Sequence, residues 1–204
     1  MIHSLYGNFK DIFLLTWPMV VVSLVTLISF RICYIYKNQV KVVLYREILL
    51  FFFAFYVLCL FQIVTLTDAS SSVGSNFVPF KEIMRYKLFS RLFIKNVIGN
   101  VLLFLPYGYF VGRYFSLKSK SLSFFLILLA SISIECTQLS IGRVFDVDDI
   151  ILNVVGGLLG YFIYLFLCKI YGSLPKVLKS TWFLNTLFII LFILFICILL
   201  FLLL

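Results

Sequence analysis

The chain has 204 residues, 64% of them hydrophobic and only 12% charged, with a formal net charge of +9. This balance excludes a disordered chain and argues against an ordinary soluble domain; it describes an all-α, polytopic transmembrane helical bundle. On such a chain a positive balance means basic cytoplasmic loops, and no basic run is interleaved with an aromatic reading surface outside the apolar segments, so the predicted partner is the lipid bilayer and not nucleic acid.

Several apolar runs approach or exceed the ~20 residues that a spanning helix needs. The first covers 12–30, with Pro18 near its outer end, where a missing N–H costs least. The run is long enough to span, and no clear small-residue cleavage site follows it, so it is not expected to be a removable signal peptide. Arg31, Lys37, Lys41 and Arg46 then form a basic loop, and a second span covers 48–67. Gln62 and Thr65 near its end read as interhelical hydrogen-bond partners. The stretch DASSSVGSN at 68–76 is a polar turn.

NFVPF at 76–80 opens a mixed segment in which Phe80, Ile83, Met84, Leu88 and Leu92 recur at helical spacing. Lys81, Arg85, Lys87, Arg91 and Lys95 mostly fill the positions between them, giving a basic amphipathic stretch suited to the headgroup plane. It is either a solvated helix leading back into the bilayer or a holder of anionic lipid or envelope phosphates. The third span, 97–115, carries Asn100 on the same face as Asn96. Pro106 in this span frees a backbone carbonyl, and Gly108 and Gly112 form a small-xxx-small pair for close helix contact.

The fourth span, 122–139, sets Ser131, Glu135 and Gln138 on one face. The fifth, 150–167, starts behind Asp148 and Asp149, where the helix dipole favours negative charge. Asn153 lies one turn further in, and Gly156 and Gly160 form a GxxxG packing face. The sixth, 184–204, is nearly pure Leu, Ile and Phe and reads as an anchor facing lipid. The expected organisation is about six spanning helices plus an amphipathic interfacial segment. It divides into two N-terminal helices (1–75), a core (76–168), and a basic loop with a C-terminal anchor (169–204).

Counted over alternate loops, ten Lys and Arg fall on one side and seven on the other, while the second side holds six of the acids. The positive-inside rule then puts the first side in the cytoplasm and both termini outside. The five cysteines, Cys33, Cys59, Cys136, Cys168 and Cys197, lie in or beside apolar runs without a CxxC, which points to packing rather than zinc or disulfides. His3 is the lone histidine and carries no ligand set.

The polar residues concentrate in ECTQLSIGRVFDVDDIILNVVGGLLG at 135–160. A charge at bilayer depth costs roughly 3 kcal/mol or more, so this window is either a working site or a polar lock. Asn100, Glu135 and Asn153 each lie about one turn inside a helix from the same side. At ~1.5 Å per residue they share a depth, and Arg143, Asp146, Asp148 and Asp149 lie above them. Three readings follow. Arg143 pairs with Glu135 or an aspartate as a structural lock. Alternatively, Arg143 holds the phosphate or carboxylate of a lipid headgroup, cell-wall precursor or lipid-tailed antibiotic, oriented by Asn100, Gln138 and Asn153. In the third, Glu135 acts as a general acid or base, or Asp146, Asp148 and Asp149 give oxygen ligands to Mg²⁺ or Ca²⁺. No Ser, Cys or His nucleophile pairs with these acids, and carboxylates at a helix N-terminus also serve as caps. No metal site is assigned, and the sequence identifies no cofactor.

At four places the chain resembles the VanZ-like family: NFVPF (76–80), NVLLFLPYG (100–108), SISIECTQL (131–139) and GRVFDVDDIILNVVGGLLG (142–160). The last is the most specific, since its Arg, Asp, Asp-Asp, Asn and glycines arrive at fixed spacing. The first, second and sixth helices match only as generic hydrophobic segments. The resemblance implies a multi-pass protein of the bacterial cytoplasmic membrane, and the name-giving member is associated with resistance to teicoplanin. The implied role is in cell-envelope physiology or lowered sensitivity to teicoplanin-type glycopeptides. The alternative is a membrane enzyme acting on a lipid-linked envelope substrate.

Overall fold

The computed structural model describes residues 2–66, 75–114 and 120–203. The long helices are α1 (Ile2–Asn38), α2 (Leu44–Leu66), α5 (Gly99–Tyr114), α6 (Lys120–Ser140), α7 (Val147–Ser173) and α8 (Thr181–Leu203). Two short helices, α3 (Lys81–Arg85) and α4 (Arg91–Phe93), precede α5, and a π-helical turn (Ile94–Ile98) joins α4 to it. Among the described residues six helical stretches are long and apolar enough to cross a membrane, as hydropathy predicts. Most of the polar stretch 68–76, and Lys118 between the third and fourth spans, lie outside the described residues.

The chain divides into two compact units, one of Met1–Gln62 with Leu174–Leu204 and the other of Ile63–Ser173. In the first, α1 is longer than the apolar run alone predicts. Pro18 lies inside the helix and not near its end. A proline removes one i→i−4 bond, a loss that spanning helices tolerate. At the other end, Arg31 and Lys37 belong to the helix and not to a loop. The Arg31 guanidinium forks onto Glu47 of α2, with Nε to Oε2 at 2.9 Å and Nη2 to Oε1 at 2.8 Å, so the charge is compensated where the helix carries it. The helix stops at Gln39, whose φ of 49° is left-handed, and the Val40 N–H returns to the Ile35 carbonyl at 3.3 Å. α8, expected as an anchor facing lipid, also packs on α2. Its Phe192 and Phe195 meet Phe51, Phe52 and Phe55 of α2 edge-on, with ring centroids as close as 5.1 Å.

In the second unit α7 lies along α5, with α6 against it. The α5–α7 seam is a contact of backbone on backbone. A methyl added at Gly108 would run into the backbone of Gly157, at Gly156 into that of Val101, and at Gly160 into that of Leu105. Gly112 differs, since it makes room for the rings of Tyr161 and Tyr164, and Gly157 admits the side chain of Ile127 from α6.

The segment expected as one amphipathic helix is broken. Phe80 before α3 and Phe89 after it both have left-handed backbones, with φ of 65° and 59°. The Ser90 side chain accepts the Phe93 N–H at 3.1 Å and starts the helix again. From Arg91 the chain is helical into α5, but the π-turn shifts its register. Asn96 and Asn100, expected on one face, therefore reach different partners. Asn96 donates to the Tyr86 hydroxyl at 2.8 Å, while Asn100 turns to α7.

Candidate functional site: the polar cluster at the start of α7

Asp146 stands just before α7 and caps it, with Oδ1 accepting the Asp148 N–H at 2.9 Å. The same oxygen accepts Asn76 Nδ2 at 2.9 Å. Beside this pair the backbone of Asn76 runs parallel to that of 145–147 as an isolated bridge. The Asn76 N–H donates to the Phe145 carbonyl at 2.8 Å and the Val147 N–H to the Asn76 carbonyl at 3.1 Å. Phe77 and Phe145 stack beside it, with centroids 5.6 Å apart. Burial raises the pKa of Asp146 above the ordinary aspartate value; the Asp148 N–H and Asn76 oppose the shift, and the carboxylates of Asp148 and Glu82 add to it.

Asp148 is 1% exposed and faces the surface segment, not solvent. The left-handed Phe80 sets off α3, whose first amides lack intrahelical acceptors. Asp148 supplies them. Its Oδ1 accepts the Phe80 N–H, and Oδ2 accepts the N–H groups of Glu82 and Ile83 at 2.7 and 3.1 Å. An acid at the head of one helix thus caps another, 65 to 68 positions earlier in the chain. Asp149, its neighbour, turns the other way and accepts Asn100 Nδ2 of α5 at 2.5 Å.

Glu135 of α6 is also 1% exposed. Its Oε2 accepts the Asp146 N–H at 3.1 Å. With the Gln138 amide oriented to satisfy its neighbours, its nitrogen donates to Glu135 Oε1 at 2.8 Å and its oxygen accepts from Arg143 Nη1 at 2.7 Å. The Arg143 guanidinium is therefore linked to Glu135 through an amide. The Arg143 N–H also closes on the Gln138 carbonyl at 2.9 Å, which fixes the α6–α7 turn. Ser131 donates to the Ile150 carbonyl at 3.5 Å, and Asn153 is buried on α7.

Asn100, Glu135, Gln138, Arg143, Asp146, Asp148 and Asp149 thus meet at one end of the unit, each tying one element to another. Asn153 lies one turn further along α7. Among the described residues no group of three His, Cys, Asp or Glu side chains is arranged to hold a metal ion. The three aspartates engage donors from three different directions: Asn76 and the start of α7, the α3 backbone, and α5. Asn76 is the member that sequence reasoning missed. Its signal is its place at the head of NFVPF, where Pro79 interrupts any helix and the neighbouring amides need outside acceptors.

The fold and this cluster define a multi-pass α-helical membrane protein whose central helices are joined at one end by hydrogen-bonded acids. The chain belongs to the VanZ/LLP1 family, whose model matches residues 48–169. The match takes in α2 as well as the four segments that carry the resemblance. Comparisons with curated proteins and with solved structures found no match.

Proposed function

We propose that this VanZ/LLP1 protein works in the bacterial cytoplasmic membrane, on the outer face, and lowers sensitivity to teicoplanin-type glycopeptides through contact with an anionic lipid or cell-wall precursor. In this reading the buried acids are the frame of the binding region. The observation that carries it is that Asp148 spends its carboxylate on three backbone amides of the surface segment. That arrangement supports a segment held ready for a partner beside a cluster that is internally satisfied. The enzymatic alternative, acting on a lipid-linked substrate, draws on the burial of Glu135. Both oxygens of that carboxylate already accept hydrogen bonds, which favours a structural role.

The test is binding of fluorescent teicoplanin to intact Gram-positive cells carrying empty vector, the wild-type chain, or Glu135→Gln at matched membrane levels. Reduced binding with wild type, restored in the variant, is the expected result. Equal binding in all three would overturn the antibiotic role.

A further inference from the structure

The segment that Asp148 holds carries the largest group of cations between any two spans of the chain. Between residues 76 and 98 there are five cations, Lys81, Arg85, Lys87, Arg91 and Lys95, and one acid, Glu82. All five cations are exposed. Among the described residues only Arg85 of these five forms an ion pair, with Nη1 3.3 Å from Glu82 Oε2. Interleaved with them are large apolar side chains that are just as open: Met84 is 81% exposed, Leu88 71% and Phe89 80%. In water such a mixture would be unfavourable. At a membrane surface both halves are satisfied, with apolar groups in the glycerol and upper acyl layer and long cationic side chains reaching the phosphates.

The backbone is fixed in a form that presents these groups. Phe89 sits in a left-handed conformation, uncommon for an aromatic residue, with its ring turned outward. On one side the segment is held by Asp148 and on the other by the Asn96–Tyr86 hydrogen bond. A flexible cationic tail would attract any anion; a fixed arc of cations around apolar anchors suits a headgroup at a defined height.

We propose that residues 77–95 form a binding surface for acidic glycerophospholipid. In it Lys81, Arg85 and Lys87 contact the phosphodiester, and Met84, Leu88 and Phe89 lie in the acyl region beneath. This rests on the reading above that the unit meets an anionic partner at this end, and it places the contact on the surface segment, not on Arg143.

The test uses the full chain with Trp17→Phe, Trp182→Phe and Phe89→Trp, reconstituted in mixed vesicles of phosphatidylglycerol and phosphatidylcholine. In parallel samples either one lipid or the other is brominated at the acyl chain. The ratio of tryptophan quenching reports which lipid sits beside the segment. Acidic lipid should be enriched roughly fivefold over its bulk share, the effect of about one basic residue's attraction to an acidic surface. The enrichment should vanish with Lys81→Gln, Arg85→Gln and Lys87→Gln combined, while quenching in brominated phosphatidylcholine alone stays unchanged, showing that the segment remains seated. Equal quenching by the two lipids in the wild-type segment would overturn the proposal, as would enrichment that survives the triple substitution. Cell binding of teicoplanin is a separate readout, so the phospholipid site and the antibiotic role can fail independently.

Discussion

Asp148 gives the sharpest test of how the cluster works. An asparagine there keeps the shape of the side chain but replaces one acceptor oxygen with a donor. In its best orientation the remaining oxygen keeps the bonds from Glu82 and Ile83, and the new NH₂ faces the Phe80 N–H. One charge-assisted hydrogen bond is then lost and a donor is left facing a donor, a cost of about 2–3 kcal/mol. Asp148→Ala removes all three bonds and costs about 5 kcal/mol on the same scale. The loss is local, so it should be read locally, by hydrogen–deuterium exchange of a peptide spanning 77–85 in nanodiscs. Protection should fall roughly 30- to 150-fold in Asp148→Asn, from tenfold per ~1.4 kcal/mol, and further in Asp148→Ala. Unchanged protection in both variants would refute the capping role and, with it, the idea that the cluster frames the surface segment.

Glu135→Gln should lower the amount of folded protein in the membrane, measured by fluorescence-detected gel filtration, because both carboxylate oxygens accept hydrogen bonds; an unchanged amount of folded variant would count against that structural role. Gly156→Ala and Gly160→Ala should each destabilise by about 3 kcal/mol, since the contact is backbone that cannot yield, whereas Gly172→Ala, with nothing near its added methyl, should hold or gain up to ~1 kcal/mol in thermal melts. Asp146 has a folded-state pKa above the ordinary 3.8. Between those values the folded state binds more proton than the unfolded, so wild-type stability relative to Asp146→Asn should fall as pH rises through that window; a flat difference in Tm against pH would count against burial of this carboxyl. Chelation with EDTA should leave Tm unchanged, because the aspartates already face amide donors; a shift that Asp148→Asn abolishes would reinstate a metal.

The six spans were legible because apolar runs of bilayer length need no tertiary information. The polar residues were legible for the same reason, since acids in such a chain stand out. What hydropathy could not reveal was partnership. Asp148 and Asp149 are adjacent in sequence and look alike, yet one faces α3 and the other α5, a division set by the 100° turn between successive helical residues and by what packs on each side. The pattern at 80–95 fits a helix as a string, but two left-handed phenylalanines and the Ser90 cap interrupt it, and the cost of each left-handed residue, about 1–2 kcal/mol, is offset by tertiary contacts such as those of Asp148 that no local pattern contains. Pro18 misleads in the opposite sense: its local penalty is real, but a long helix in a bilayer absorbs it. Arg31 reads as loop by charge and is helical because Glu47 lies opposite it, a pairing between helices that no single-segment pattern contains.

The reach of Asp148 also bears on how the protein is made. Phe80, Glu82 and Ile83 are synthesised 65 to 68 residues before the carboxylate that accepts their amides. Two further spanning segments must be threaded before that acid emerges, so during biogenesis the stretch is held by water and headgroups and docks only once the head of α7 is in place. The final helix of this unit therefore completes the first part of it. A nascent chain arrested between α6 and α7 would have four of its six spans made and still lack the ordered surface, which makes that docking a natural checkpoint for distinguishing a partly inserted chain from a finished one.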